Sequence, residues 1–148
     1  MKTSFLFLMA LCLTIILQAQ VSKTVNVTAG SLTTLLTAEE LSSITYLIIT
    51  GTIDARDFKT MRDSMPLLSE IDLSNVTVTS YVGTEGTGGE YETNYLANEI
   101  PFAAFVDVIT EIGKTSLNSI MLPINITSIG TGAFYNCSGL KSISIPAS

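Results

Sequence analysis

Histidine and tryptophan are absent from the 148-residue sequence, and cysteine occurs only twice. Without histidine, neither a Ser-His-Asp nor a Cys-His catalytic arrangement can be built, and a zinc site made of cysteine and histidine lacks its ligands. Cys137 is the one cysteine beyond residue 20, so no disulfide can form within that part of the chain, and we expect its thiol to be buried. The sequence thus predicts a protein that is not an enzyme and uses neither a metal nor a cofactor.

Long apolar runs are also missing, apart from one at the start. Phe5 to Leu17 is an almost unbroken apolar stretch of 13 residues, which is shorter than the roughly 20 residues of a membrane-spanning helix. A basic residue before the run and the small residue Ala19 after it are typical of an export signal. We therefore predict a signal peptide over 1–19, with a retained anchor as the alternative, and a secreted or cell-surface protein with no transmembrane segment once the signal is removed.

Basic residues are few. The chain has 7 lysines and arginines against 13 acids, a net charge of −6, and removal of Lys2 with the signal would leave 6 minus 13, or −7. Such a chain repels phosphate groups, so nucleic acid and anionic membranes are not expected partners.

A repeat is the strongest positive feature of the sequence. Leu117–Pro123 (LNSIMLP) returns 23 residues later as Leu140–Pro146 (LKSISIP). The pattern L-x-x-I-x-L also occurs at Leu68–Leu73 and more loosely at Ile44–Ile49, so successive motifs start 24, 49 and 23 residues apart. Motifs of this kind at periods of about 20 to 29 residues are typical of leucine-rich repeats, in which each repeat contributes one short strand.

Alternation within each short strand predicts which side chains point into the core. The expected inward residues are Leu47, Ile49, Ile71, Leu73, Ile120, Leu122, Ile143 and Ile145. If the strands stack side by side, the outward residues form two columns, Tyr46, Glu70, Ser119, Ser142 and Ile48, Asp72, Met121, Ser144. Mixed apolar and acidic patches can mark recognition surfaces. We predict a binding surface on the strand face, made of Tyr46, Ile48, Glu70, Asp72, Ser119 and Met121; the alternative is that these residues only cover the sheet.

At this point the sequence resembles a known family. Pro123–Pro146, which contains Ile129-Gly130, Ala133-Phe134, Asn136-Cys137 and Gly139-Leu140, is similar to one unit of the BspA-type leucine-rich repeat. Looser matches extend the likeness back to about Ile44. The resemblance implies an α/β repeat fold, a solenoid with short parallel strands. That family is found on surface and secreted proteins of host-associated bacteria, so the resemblance also implies adhesion to, or recognition of, host or neighbouring-cell molecules.

The remaining segments predict an N-terminal cap and a helix in one of the stretches that connect the strands. Lys23–Thr28 alternates like an edge strand, and Ser31–Leu41 suggests a short helix with Ser31 as its N-cap. Together they predict an N-terminal strand-helix cap over 20–43, followed by leucine-rich repeats over 44–148 that we expect to be cut short at the C-terminus. Asp54–Met65 is predicted to be an amphipathic helix. The acidic pairs Glu39-Glu40 and Asp54-Asp57 are expected to be solvated.

The 49-residue interval contains a segment that does not match the repeat. Residues 79–99 are rich in glycine and tyrosine, and we predict an inserted surface loop or β-hairpin. Its Tyr81, Tyr91 and Tyr95 form a second candidate binding surface. A calcium site at Glu85, Glu90 and Glu92 is a weaker alternative.

These features favour an exported leucine-rich-repeat module that binds extracellular protein or glycan partners. The alternative is a structural N-terminal cap or spacer of a longer array, with no ligand site of its own. The sequence leaves the oligomeric state open.

Overall fold

A computed structural model describes residues 20–91 and 93–146, so the predicted signal segment 1–19 lies outside it. The strands are β1 (Ser22–Val27), β2 (Tyr46–Ile53), β3 (Glu70–Val78), β4 (Tyr81–Gly83), β5 (Thr93–Tyr95), β6 (Glu99–Ile100), β7 (Ser119–Met121), β8 (Ser128–Ile129) and β9 (Ser142–Ser144). The helices are α1 (Leu32–Leu35), α2 (Ala38–Ser43) and α3 (Ala55–Asp63). Within the described ranges, no helix is both long and apolar enough to cross a membrane.

The main sheet has five parallel strands in the order β1-β2-β3-β7-β9. Ile71 lies opposite Ile120, which in turn lies opposite Ile143. Equivalent positions of the sequence motif are therefore direct neighbours across the sheet. The predicted parallel pairing of the four motif strands is confirmed, and the arrangement is a repeat fold with few helices.

The core lies between the inner side of this sheet and the segments that connect one strand to the next, which we call the return segments. The inward residues of the first three motif strands are all buried: Leu47, Ile49, Ile71, Leu73, Ile120 and Leu122. Phe105 joins successive return segments, because its ring meets Phe58 edge-on at 6.0 Å and stacks on Phe134 at 5.5 Å. Such aromatic pairs add to the stability gained by burial alone.

The burial predicted for the last strand is wrong. Ile143 and Ile145 are 38% and 64% exposed, although Ile143 keeps the same register column as the buried Ile120. Within the described residues no strand pairs with the outer edge of β9, so these side chains have a neighbouring strand on one side only.

The N-terminal segment departs from the single helix predicted over Ser31–Leu41. Two short helices form instead, because Leu36 is extended, with φ −107° and ψ 139°. Ser31 makes no side-chain cap, whereas Thr37 caps α2 and shares a capping box with Glu40. The Thr37 hydroxyl accepts the Glu40 N–H, a local bond that favours a fresh helix start at this point.

Asp54 and Asp57 are buried, so the prediction that they are solvated is wrong. Asp54 is the N-cap of α3, and the carboxylate of Asp57 accepts backbone N–H groups from Gly30 at 2.7 Å, Leu32 at 2.9 Å and Asp54 at 2.9 Å. Burial raises the pKa of Asp57, although these N–H groups favour its charged form. The side chain fastens the start of α1 to the start of α3.

The segment predicted as a loop or hairpin contains a hairpin. β4 and β5 pair antiparallel, with Tyr81 opposite Tyr95. Arg62 of α3 joins this segment to the residues that follow it. Its Nη1 donates to the carbonyl of Thr87 in the hairpin at 2.9 Å, and to those of Ala103 at 3.2 Å and Val106 at 2.7 Å beyond the hairpin.

Lys114 contacts the C-terminal end of α3. Its ammonium donates to the Met65 carbonyl at 2.6 Å and to the Arg62 carbonyl at 3.4 Å, which places a cation at the negative end of the helix. Lys114 is only 8% exposed, and burial lowers its pKa to about 8.

The lowered pKa of Lys114 predicts that this residue makes the folded protein more stable as the pH rises above neutrality. The unfolded chain keeps the lysine proton up to a pKa of 10.5, whereas the folded chain releases it at about 8. Between these values the unfolded state binds more protons, so the free energy of unfolding rises with pH. We expect Lys114 to contribute a rise on the order of 2 kcal/mol between about pH 7 and pH 10, measured by urea denaturation as the difference between the wild type and a variant without this amine. The Lys114→Met variant should lack this increment, and an equal rise in both proteins would contradict the assignment.

Candidate functional site

The outer side of the five-stranded sheet carries the residues singled out in the sequence. The first column runs Ser22, Tyr46, Glu70, Ser119 and Ser142, and the second runs Thr24, Ile48, Asp72, Met121 and Ser144. All eight residues predicted for the two columns therefore occupy the expected places. β1 adds one residue to each column.

These columns surround a shallow concavity of about 230 Å³. Its side-chain lining includes Tyr46, Glu70, Asp72, Ser119, Met121, Ser142 and Ser144. Met121 is 42% exposed, and Tyr46, Ile48, Glu70 and Asp72 are partly exposed. The surface offers apolar area on both sides of two carboxylates.

The charges on this surface have one sign. Glu70 and Asp72 project from the same side of β3, and positions two apart along a strand are separated by about 7 Å. The ten outward positions contain no basic residue. Lys23 of β1 lies opposite the buried Leu47, on the inner side of the sheet, where it forms an ion pair with Glu40. The two carboxylates therefore face solvent without a cation on their own surface.

The three hairpin tyrosines do not form one surface. Tyr91 is 80% exposed, whereas Tyr81 is partly covered, with its ring 6.0 Å from that of Tyr95 and the Arg56 guanidinium 4.6 Å above it. Tyr95 is only 3% exposed, and its hydroxyl accepts the Gly88 N–H at 2.6 Å. The prediction that Tyr95 binds a partner is wrong, because its ring packs inside the hairpin. The hairpin rests on α3, away from the two columns.

Sequence reasoning missed a polar cleft between α3 and the hairpin. One part of it, of about 500 Å³, is lined by Arg56, Lys59, Asp63 and Glu85, among others, and an adjoining part measures about 400 Å³. Arg56 is already paired with Asp54 in this region. The spacing of Arg56 and Lys59, one turn apart on α3, is the sequence signal that could have indicated the cleft.

Cys137 is buried, as predicted. Its Sγ lies 3.5 Å from the Phe105 carbonyl, and burial raises the pKa of the thiol, so thiolate chemistry is disfavoured at neutral pH. Within the described ranges, no group of three histidine, cysteine, aspartate or glutamate side chains is placed to hold a metal ion. Glu92, named above for calcium, lies outside them.

Strand motifs that recur along the sequence and align across a parallel sheet define the leucine-rich-repeat class, a class of protein-interaction modules. Within that class, residues 110–148 match the model of the family described as "BspA type Leucine rich repeat region (6 copies)". The match spans about a quarter of the chain and includes β7, β8 and β9. This part of the chain is similar to a BspA-type leucine-rich repeat region, which confirms the resemblance drawn from the sequence. A comparison with curated proteins finds no match.

Proposed function

We propose that the protein is an exported binding module that recognises a protein partner outside the cell through the outer side of its sheet. The signal-like sequence of residues 1–19 and the usual surface or secreted location of BspA-type proteins support export. In this proposal the chain is a leucine-rich-repeat solenoid. Residues 20–43 cap its first coil, and the hairpin within 79–99 is an insertion in one coil.

One observation supports this function above all others. The register of the sheet brings side chains as far apart in sequence as Tyr46 and Ser142, which are separated by 96 residues, onto one continuous surface. A core needs only the inward residues of each strand, so the outward ones are free to serve recognition. Tyr46, Ile48 and Met121 give this surface apolar area that a partner can cover.

We propose no catalytic role for the carboxylates. Asp54 accepts a backbone N–H group at the start of α3, and Asp57 accepts two at the start of α1. Glu70 and Asp72 lie side by side on one strand, whereas glycosidase chemistry needs two carboxyl groups that face each other across a substrate.

The double variant Tyr46→Ala/Met121→Ala tests the surface. Binders would first be selected on the wild-type protein from a random-peptide display library, and their Kd values would then be measured on both proteins. Loss of two central apolar contacts should weaken these binders by roughly tenfold or more.

Ile109→Ala/Tyr135→Ala is the matched control. It removes one aliphatic and one aromatic side chain that are exposed elsewhere on the protein, and it should leave the Kd unchanged. If the two variants behave alike, or if no binder is selected, the proposal is wrong and the structural-spacer alternative is favoured.

A further inference from the structure

The placement of charge on the sheet surface narrows the class of partner. Glu70 and Asp72 are the acidic residues among the ten outward positions, and they project from β3, the central strand. Neither forms an ion pair within the described part of the chain. Two like charges about 7 Å apart repel each other. Asp72 Oδ1 accepts the Ser74 N–H at 2.8 Å, but this local bond does not relieve the repulsion between the two carboxylates.

Apolar side chains flank the two carboxylates on the neighbouring strands. Tyr46 and Ile48 of β2 lie on one side and Met121 of β7 lies on the other, each about 5 Å away, which is the spacing between adjacent strands. A methylene chain that crosses Met121 or Tyr46 can therefore deliver a positive group to the carboxylates. Lysine and arginine side chains have this combination of an apolar stem and a charged end.

We infer that the sheet surface binds an extended peptide segment in which a lysine or arginine is flanked by apolar residues. The basic group lies against Glu70 and Asp72, and the apolar neighbours cover Met121 on one side and Tyr46 with Ile48 on the other. The shallow concavity of about 230 Å³ has room for a single long side chain. This inference rests on the proposed function and adds the chemistry of the partner.

The charge variant Glu70→Gln/Asp72→Asn tests this inference on the full chain. It preserves side-chain size and removes both charges, so the fold should be at least as stable as in the wild type. Peptides selected on the wild-type protein from the random library should be enriched in lysine or arginine next to apolar residues. They should bind the charge variant at least tenfold more weakly, and their wild-type affinity should fall as sodium chloride is raised.

Glu39→Gln/Glu90→Gln is the control, because it removes the same charge from two exposed residues that lie off the sheet surface. It should leave the Kd values and their salt dependence as in the wild type. Equal loss in both double variants would show that only net charge matters, and the inference would be overturned.

The outcomes separate this inference from the proposed function. If Tyr46→Ala/Met121→Ala weakens binding but the charge variant does not, the surface binds a partner of other chemistry and only the inference fails. If neither variant weakens binding, both fail. A wild-type protein that selects no basic peptides but is retained by a neutral polysaccharide matrix would place a glycan on the surface, and the peptide assignment would be wrong.

Discussion

Replacement of Asp57 by alanine is expected to lower the free energy of unfolding by about 3 kcal/mol. The carboxylate is completely buried and accepts three backbone N–H groups, from Gly30, Leu32 and Asp54. Alanine leaves these donors without a partner where water has little access, and each unmet buried donor costs roughly 1 to 3 kcal/mol. The desolvation that raises the pKa of Asp57 offsets part of this loss. Urea denaturation followed by circular dichroism measures the difference.

Glu39→Ala is the matched control for Asp57→Ala, since Glu39 is an exposed acid in the first turn of α2. Its effect should stay within about 0.5 kcal/mol, as for most surface substitutions. A loss below about 1 kcal/mol for Asp57→Ala would mean that the three N–H groups find other acceptors, and that α1 and α3 are not joined by this side chain.

The second large effect is expected for Arg62→Ala, which should also cost about 3 kcal/mol and loosen the hairpin. One nitrogen of this side chain serves the carbonyls of Thr87, Ala103 and Val106, so the substitution frees three acceptors at once. Because Thr87 loses its contact with α3, the segment between β4 and β5 should open more often. Cleavage by a glutamate-specific protease after Glu85 or Glu90 should become roughly tenfold faster.

Lys59→Ala provides the comparison, because Lys59 is a partly exposed cation one turn earlier on the same helix. It should change neither the stability by more than about 0.5 kcal/mol nor the cleavage rate. Equal cleavage of all three proteins would contradict the view that Arg62 fastens the hairpin to α3.

The sheet and its outer surface could be predicted because they follow from periodic sequence. A strand has a side-chain period of two, and the motifs recur at a nearly constant spacing. The position of Tyr46 within its motif is therefore enough to place it opposite Glu70, and Glu70 opposite Ser119. The exposure of Ile143 could not be derived from its motif, because it depends on the position of β9 at the edge of the sheet.

The return side could not be predicted in the same detail, because its decisive contacts join residues far apart in sequence. Asp57 looks like one of several surface acids until Gly30, 27 residues earlier, is known to donate to it. Tyr95 similarly looks like an exposed aromatic residue in the sequence, because its hydrogen bond from the Gly88 N–H forms only when the hairpin folds. The break between α1 and α2 was local and could have been found from Thr37 and Glu40, which form a capping box.

The strands of the main sheet are unequal in length, so the two sides of the sheet should differ in their resistance to a pulling force. Seven residue pairs join β2 to β3, but three pairs join β3 to β7 and three join β7 to β9. Since a strand in a stacked repeat fold is held mainly by its neighbours, tension applied at β9 would separate β9 first and β7 next. β2 and β3, which share seven residue pairs, would separate last.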